Sequence, residues 1–346
     1  MKPIVGITIG DPAGIGPEVI VKALSESRVY ELCRPLVIGD VPSMERAVAQ
    51  LGSPLRIRVV QGAADARFEQ GTIDVIQATD QDLREITMGV VDPRCGTCAV
   101  HAVKRATEMA MAGEIHAICT APLNKDAMNQ AGFHYPGHTE MLGEFTGTRD
   151  YSMMLTAKKL RVLHVSTHVS LAEAIRRVKK DRILRVIRLA DQAARDYLGI
   201  ESPTVAVAGL NPHAGENRLF GDEDVDEIRP AIEAANAEGL RAVGPIPGDT
   251  IFPRAAKGDF DITVAMFHDQ GHVAAKMLGF DSGVNTTIGL PIIRTSVDHG
   301  TAFDIAGRGI ASEQSMIEAI EMAAFVATKR LEREQSSPQD AKSPGS

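Results

Sequence analysis

Short, nearly uninterrupted apolar runs recur along this chain, at residues 3 to 9, 35 to 39, 115 to 119, 152 to 156, 160 to 165, 204 to 208 and 261 to 267. Runs of that length bounded by Gly, Pro or polar residues are the pattern of strands buried on both faces. Between them lie longer stretches, 96 to 113, 180 to 198, 224 to 238 and 311 to 332, whose apolar positions return every three or four residues. That is the helical period. The alternation predicts an α/β fold with mostly parallel, doubly wound sheets. No internal repeat and no clean Gly/Ser/Pro linker divides the chain, so interleaved lobes are expected rather than two beads on a string. The final stretch, EQSSPQDAKSPGS, has almost no apolar residues and predicts a disordered tail over 333–346.

Three of the strand-like runs end just before a histidine: RVLHVSTH delivers His168, TVAVAGLNPH delivers His213 and ITVAMFH delivers His268. In an open α/β sheet, ligands gather beyond the carboxyl ends of strands, so imidazoles placed there independently can converge on one point. Imidazole nitrogen suits zinc and related first-row divalent ions, and three histidines leave positions open for water or substrate. One such histidine alone reads as hydrogen-bonded or solvated; the repetition is what points to a metal. Asn211, Glu216, Asp269 and Gln270 stand close enough in sequence to orient ligating rings. His164, inside the run that leads to His168, reads as a packed strand residue.

Composition narrows the function classes. At 346 residues the chain is too long for one typical core and suits two lobes; 44% apolar and 24% charged residues are those of an ordinary globular protein. A net charge of −8 argues against a general nucleic-acid or anionic membrane surface while leaving room for a local anion pocket. The opening MKPIVGITIGDPAG is too short and too broken by Gly and Pro for a signal sequence, and a cytoplasmic protein is expected. Four scattered cysteines, Cys33, Cys95, Cys98 and Cys119, make no disulfide framework. Only CGTC, at Cys95 and Cys98, has a recognisable spacing; it opens a predicted helix, where a redox-active thiolate would be favoured.

Several loops carry anion chemistry. GDPAGIGPEV, with Gly10, Gly14, Gly16 and Pro17, reads either as a loop whose amides face a ligand or as a tight strand-to-helix turn; it matches neither dinucleotide nor P-loop spacing. YPGHTEML puts His138, Thr139 and Glu140 at a helix start, where imidazole, hydroxyl and amides can hold a phosphate, or where Thr139 simply caps the helix. Lys276, Asn285 and Arg294 follow His268, Arg294 being suited to grip a phosphate bidentately.

Together GDPAGIGPE, TAPLNK, YPGHTE, VSTH, LNPHAGE, HDQGH and GVNTTIGLPIIRTSVDHGTAFDIAGRG resemble, in order and over nearly the whole chain, the PdxA family of 4-hydroxythreonine-4-phosphate dehydrogenases. The resemblance implies a two-lobed α/β/α fold like isocitrate and isopropylmalate dehydrogenases. It also implies a homodimer with its site at the subunit interface, one divalent ion (Zn, Mg, Mn or Co) and oxidation by NAD or NADP. The lobes would comprise 1–130 plus 300–332, and 131–299. His168, His213 and His268 match the metal ligands, one supplied across the interface; His138, Thr139, Lys276, Asn285 and Arg294 match the substrate contacts. VDHGTAFDIAGRGIA is similar to the adenosine loop of isopropylmalate dehydrogenases, which implies that His299, Gly300, Thr301, Asp304 and Ala306 lie near the cofactor.

AGFHYPGHTE, VSTHVSL, HAGENRLFGDE and VAMFHDQGH look closer to the branch acting on 4-phospho-D-threonate or 4-phospho-D-erythronate than to the enzyme of pyridoxal phosphate biosynthesis. A branch oxidising the cis-dihydrodiol of terephthalate would have little need of a phosphate site. The expected reaction is oxidation of a hydroxyl β to a carboxylate, followed by loss of carbon dioxide. Asp249, in PGDTIF, is the candidate for taking the hydroxyl proton, and Lys276 is counted with it as catalytic. A metal-dependent hydrolase would not need the HGTAFDIAGRG loop, and a phosphate acyltransferase of related fold would not need the histidines.

Overall fold

The structure, a computed structural model, describes residues 1–279 and 283–336. In chain order the elements begin β1 (Ile4–Thr8), α1 (Gly16–Ala23), α2 (Ser27–Leu32), β2 (Arg34–Gly39), α3 (Val41–Gln50), β3 (Arg56–Val59), β4 (Thr72–Gln77) and α4 (Pro93–Met111). They continue with β5 (Ala117–Thr120), α5 (Lys125–Gln130), α6 (His138–Thr146), β6 (Ser152–Ala157), β7 (Leu160–His164), α7 (Leu171–Arg177), α8 (Lys180–Leu198) and β8 (Thr204–Ala208). The last set is α9 (Arg229–Ala237), β9 (Arg241–Ile246), α10 (Gly248–Lys257), β10 (Ile262–Ala265), α11 (His268–Leu278), β11 (Val284–Ile288), β12 (Arg294–Val297) and α12 (Gln314–Ser336). Each apolar run becomes a strand, and α4, α8 and α12 fall on the periodic stretches. The stretch 224 to 238 opens as one wide π turn, Asp224–Ile228, before α9 begins.

The strands join in one twelve-stranded sheet, ordered β3-β4-β2-β1-β5-β12-β11-β6-β7-β10-β8-β9. From β3 to β12 all neighbours are parallel, as they are from β7 to β9. In the middle, β12 with β11, β11 with β6 and β6 with β7 are antiparallel. An odd number of reversals leaves the two parallel groups running in opposite directions. The carboxyl ends of one group therefore lie at the same sheet edge as the amino ends of the other.

The reversal comes from strands that the apolar pattern misses. β11 (VNTTI) and β12 (RTSV) bury Thr286, Thr287, Arg294, Thr295 and Ser296, so burial there does not read as apolar. β3 (RIRV) is half exposed at the sheet edge, where polar residues are tolerated.

Helices cover both faces in an α/β/α arrangement. One large core surrounds β1, β2 and β5 and is closed by α4 and α12. Met141, Leu142, Val284, Ile292, Ile293 and Val297, from the middle of the chain, also pack into it. Two smaller cores fill the opposite faces of the β7-β10-β8 group, one under α8 and α9, the other under α10 and α11. The disordered tail expected over 333–346 is corrected at its start: α12 runs to Ser336, and Arg333 pairs with Asp196. Residues 337–346 lie outside the described residues. Among the described residues no helix is long and apolar enough to cross a membrane.

Gly96 seats α5 on α4. A Cβ there would overlap the carbonyl of Ala127 and lie 2.6 Å from the Met128 nitrogen, both backbone. Helix propensity alone favours alanine over glycine by about 1 kcal/mol. Backbone cannot yield as a side chain can, so the clash wins. Gly96→Ala is expected to destabilise the protein by about 1–3 kcal/mol, measured by denaturant unfolding; a gain in stability would show that α5 is not held there.

Candidate active site

A cavity of about 510 Å³ lies across the middle of the sheet, where the strand direction reverses. It draws His168 and His268 from loops following β7 and β10, at one sheet edge, and Asp298 and His299 from beyond the end of β12, at the other. Arg294, Ser296 and Asp298 alternate along β12 and its extension and share the face that floors the cavity. Helix α6 presents its first residues from the side.

Arg294 is 3% exposed. Its Nη1 donates to the Thr287 hydroxyl (3.2 Å) and Nη2 to the Thr120 hydroxyl (2.7 Å), while Nε has no partner. Burial pushes its pKa down to about 10, offset only in part by Cys119 and the Glu140 carboxylate, the response of a cation that has lost water without a carboxylate in contact. His138 begins α6; its Nε2 is buried without a partner, and its pKa lies well below the ordinary imidazole range, first from burial, then from the charges of Arg294 and Lys125. Gly137 occupies the cap position with no side chain to satisfy the first amides. Thr139 is thus the second residue of the helix and not its cap. A guanidinium, an imidazole edge, a hydroxyl and unsatisfied helix amides around one space form an anion pole.

Opposite it stand four imidazoles. The His168 and His268 rings are 5.7 Å apart, His268 and His272 stack at 3.7 Å, and His164 lies 4.8 Å from His272. Three of them have depressed pKa values: burial and then His272 bring His164 to about 3, burial and then His268 bring His272 to about 4, and burial, His268 and Lys125 lower His168. Neutral imidazole is the metal-binding form. His164, expected merely to pack, is fully buried but borders this group; neither ring nitrogen makes a well-formed hydrogen bond, although the Met153 backbone is near. Asp269 accepts from His268 Nδ1–H at 2.7 Å and so orients that ring.

His213 does not join them within the chain. It sits in the turn Pro212–Gly215 beside Phe220, exposed, and does not line the cavity. Among the described residues no three His, Cys, Asp or Glu side chains of the one chain come close enough to share a metal. The His213 turn is strained: His213, Ala214, Glu216, Asn217 and Arg218 all have positive φ, from 38° to 79°. Such conformations cost non-glycine residues about 1 kcal/mol or more each. Buried Asp224 holds the turn by accepting from the Leu210 and Asn211 backbone and from the Asn211 amide, which also reaches Glu223. Asn211 therefore braces the loop rather than an imidazole, and Glu216 is exposed on it. Gln270 ties the loop before His268 to the one before His213, accepting from Met266 N and donating to Gly209 O, both at 2.7 Å. Asp249 is exposed at the start of α10, which packs on the His213 turn, and it also lies outside the cavity.

Lys276 ion-pairs with Asp298 (2.9 Å), whose other oxygen accepts from Asn285 (2.8 Å). Asn285 Oδ1 and His299 Nε2 are buried without partners. His299 and Gly300 line the cavity, whereas Thr301, Asp304 and Ala306 do not. Thr301 instead packs on Gly14, and its carbonyl takes the Ile15 amide (3.0 Å). The amides of Asp11, Ala13, Gly14 and Ile15 are spent on the Pro122 carbonyl, on Asp11 and on the Thr301 carbonyl, so that segment is the tight turn. The CGTC expectation fails: Cys95 and Cys98 are buried, burial pushes both thiols up, and they pack as small apolar side chains. Sequence reading missed Lys125, Arg182, His272 and Asp298 as cavity residues. His272 was visible as a helical turn after His268, and Lys125 closes the TAPLNK motif.

The model of the pyridoxal phosphate biosynthetic protein PdxA family matches residues 31–323. The chain belongs to the PdxA family. It is 51% identical over 331 residues to the D-threonate 4-phosphate dehydrogenase of Cupriavidus necator, covering 95% of this chain and 98% of that one. Solved 4-hydroxythreonine-4-phosphate dehydrogenases from Klebsiella pneumoniae (TM-score 0.88, 45% identity, 94% of this chain and 100% of that one) and Burkholderia phymatum (TM-score 0.85, 49% identity, 94% and 98%) share its fold.

Since Arg294 is buried with no carboxylate in ion-pair contact, Arg294→Met should unfold within about 1–2 kcal/mol of the wild type. Inorganic phosphate should raise the melting temperature of the wild type and leave that of the variant unmoved. A variant that phosphate stabilises as much as the wild type would remove Arg294 from the anion pole. The same substitution removes a positive neighbour from His138, so its ring should titrate at higher pH by NMR; an unchanged or lower pKa would contradict the coupling.

Proposed function

We propose that the protein is an NAD- or NADP-dependent dehydrogenase that oxidises, with loss of carbon dioxide, a 4-phosphorylated 3-hydroxy acid. D-threonate 4-phosphate or D-erythronate 4-phosphate is preferred to 4-phosphohydroxy-L-threonine. The observation that carries this reading is the buried Arg294 of β12, with no carboxylate in contact, sharing one cavity with the first turn of α6 and with the His168–His268 pair. The name of the Cupriavidus necator relative supports the substrate. The phosphate pole speaks against a dihydrodiol lacking phosphate.

The donor set fits a divalent ion in part. A tetrahedral ion with Zn–N bonds of about 2.0–2.1 Å holds two imidazoles roughly 5 Å apart, close to the separation seen for His168 and His268. His213 of the partner subunit would complete the set in a homodimer. Its strained, exposed turn carries Leu219 and Phe220, 71% and 45% exposed, and Met277, 82% exposed, projects from α11, as interface residues would. When bound, such an ion would supply Lewis acidity toward the substrate hydroxyl, and a nicotinamide would supply the hydride acceptor. Arg294, His138, Thr139 and the amides of α6 grip the phosphate and thereby set which carbon reacts. Lys276 and Asn285, drawn together by Asp298, contact the substrate backbone, with Lys276 poised for proton transfer. Asp249 of the partner subunit, carried on the helix beside the His213 turn, would take the hydroxyl proton. His299, Gly300, Thr301, Asp304 and Ala306 would flank the cofactor on the segment after β12. Lobes 1–130 plus 300–332, and 131–299, would close on the cavity. Four buried free cysteines suit the reducing cytoplasm.

Initial rates of NADH or NADPH formation with the three phosphorylated acids test the reading, and no reduction with any of them would contradict it. His168→Ala, His268→Ala and His213→Ala should each lose bound metal and nearly all activity while remaining folded. Mixing inactive H168A with inactive H213A should then restore about 25% of wild-type activity, because half the dimers would carry one intact site of two. No recovery after verified subunit exchange would place His213 within its own chain's site or outside it altogether.

A further inference from the structure

The cavity contains four cationic side chains, Lys125, Arg182, Lys276 and Arg294. Three are committed. Arg294 forms the phosphate pole, Lys276 is neutralised by Asp298, and Arg182 spends its Nε on the Val165 carbonyl (3.0 Å). Lys125 makes no hydrogen bond or ion pair among the described residues. Its backbone is nonetheless fixed: it opens α5, whose cap Asn124 accepts from the Ala127 amide (2.9 Å), and α5 is seated against Gly96. Its charge depresses the basicity of both His138 and His168, so it stands within electrostatic reach of the anion pole and of the histidine pair.

A phosphorylated hydroxy acid brings two anions, separated by a short carbon chain. The phosphate needs several directional donors, which Arg294, His138 and the α6 amides supply. The carboxylate needs one more positive group near the histidines, where the hydroxyl must lie. We propose that Lys125 is the residue that binds the substrate carboxylate, selecting acids over the corresponding phosphorylated alcohols. This rests on the dehydrogenase reading above. A lysine suits the role because its rotatable ammonium can follow the carboxylate as the adjacent carbon changes geometry, where a rigid guanidinium would resist.

The test compares wild type, Lys125→Met and Lys125→Arg for binding, by calorimetry, of D-threonate 4-phosphate, the corresponding tetritol phosphate (a hydroxymethyl group in place of the carboxylate) and inorganic phosphate. Lys125 is exposed, so Lys125→Met should fold with wild-type circular dichroism and melting temperature. A charge-assisted bond corresponds to a loss of about 10- to 100-fold in affinity for the acid. Affinities for the tetritol phosphate and inorganic phosphate should stay within about threefold, and Lys125→Arg should recover part of the loss. Unchanged acid affinity in Lys125→Met, or an equal loss for the tetritol phosphate, would overturn the assignment. Binding is read without turnover, so wild type that binds the acid but does not oxidise it would refute the dehydrogenase reading while leaving the Lys125 comparison decisive.

Discussion

A guanidinium buried with no carboxylate beside it is the constraint around which the site is arranged. Moving a cation out of water costs several kcal/mol even after relaxation, and two threonine hydroxyls offset only part of that. The lowered Arg294 pKa records the imbalance. An incoming phosphate would restore the missing charge and reach the unpartnered Arg294 Nε and His138 Nε2. Both atoms are liabilities for folding and assets for binding, the balance expected where stability is given up for function.

The sheet makes this placement possible. Had all twelve strands run parallel, the loops would cluster at one edge and the sheet face would be a conventional core. The antiparallel β11 and β6 turn one half of the sheet over, so the middle strands offer a polar floor while loops from opposite edges reach in from each end. The histidines and the segment after β12 can thereby flank one substrate from two sides. The strained turn at His213 fits the same economy: five left-handed residues persist because Asp224 satisfies their neighbours' amides, and the strain holds an imidazole outward.

Much of this was legible beforehand, and the gaps have physical causes. β4 (TIDVIQ) hides its Ile73, Val75 and Ile76 around a buried Asp74, but uninterrupted apolar runs announce themselves, so β1, β2, β5, β6, β7, β8 and β10 were visible. Strands β11 and β12 were not, because their buried residues are Thr, Ser and Arg, and those carry the reversal that shapes the cavity. His168, His268, His138 and Arg294 were found through motifs and do line one space. His213 and Asp249 sit apart from that space within the chain; in the proposed homodimer they would reach it from the partner subunit, and such proximity leaves no trace in one chain's own packing. CGTC misled, because cysteines at a helix start signal an exposed thiolate and this helix start is buried; GDPAGIGPEV left a ligand loop and a tight turn both open, and burial decides for the turn.

The most direct measurement is a crystal structure of the protein with D-threonate 4-phosphate. The account predicts the phosphate against Arg294, His138 and the first amides of α6, with the hydroxyl end of the molecule turned toward His168 and His268. A phosphate bound elsewhere, or the carboxylate occupying the Arg294 pole in its place, would contradict it.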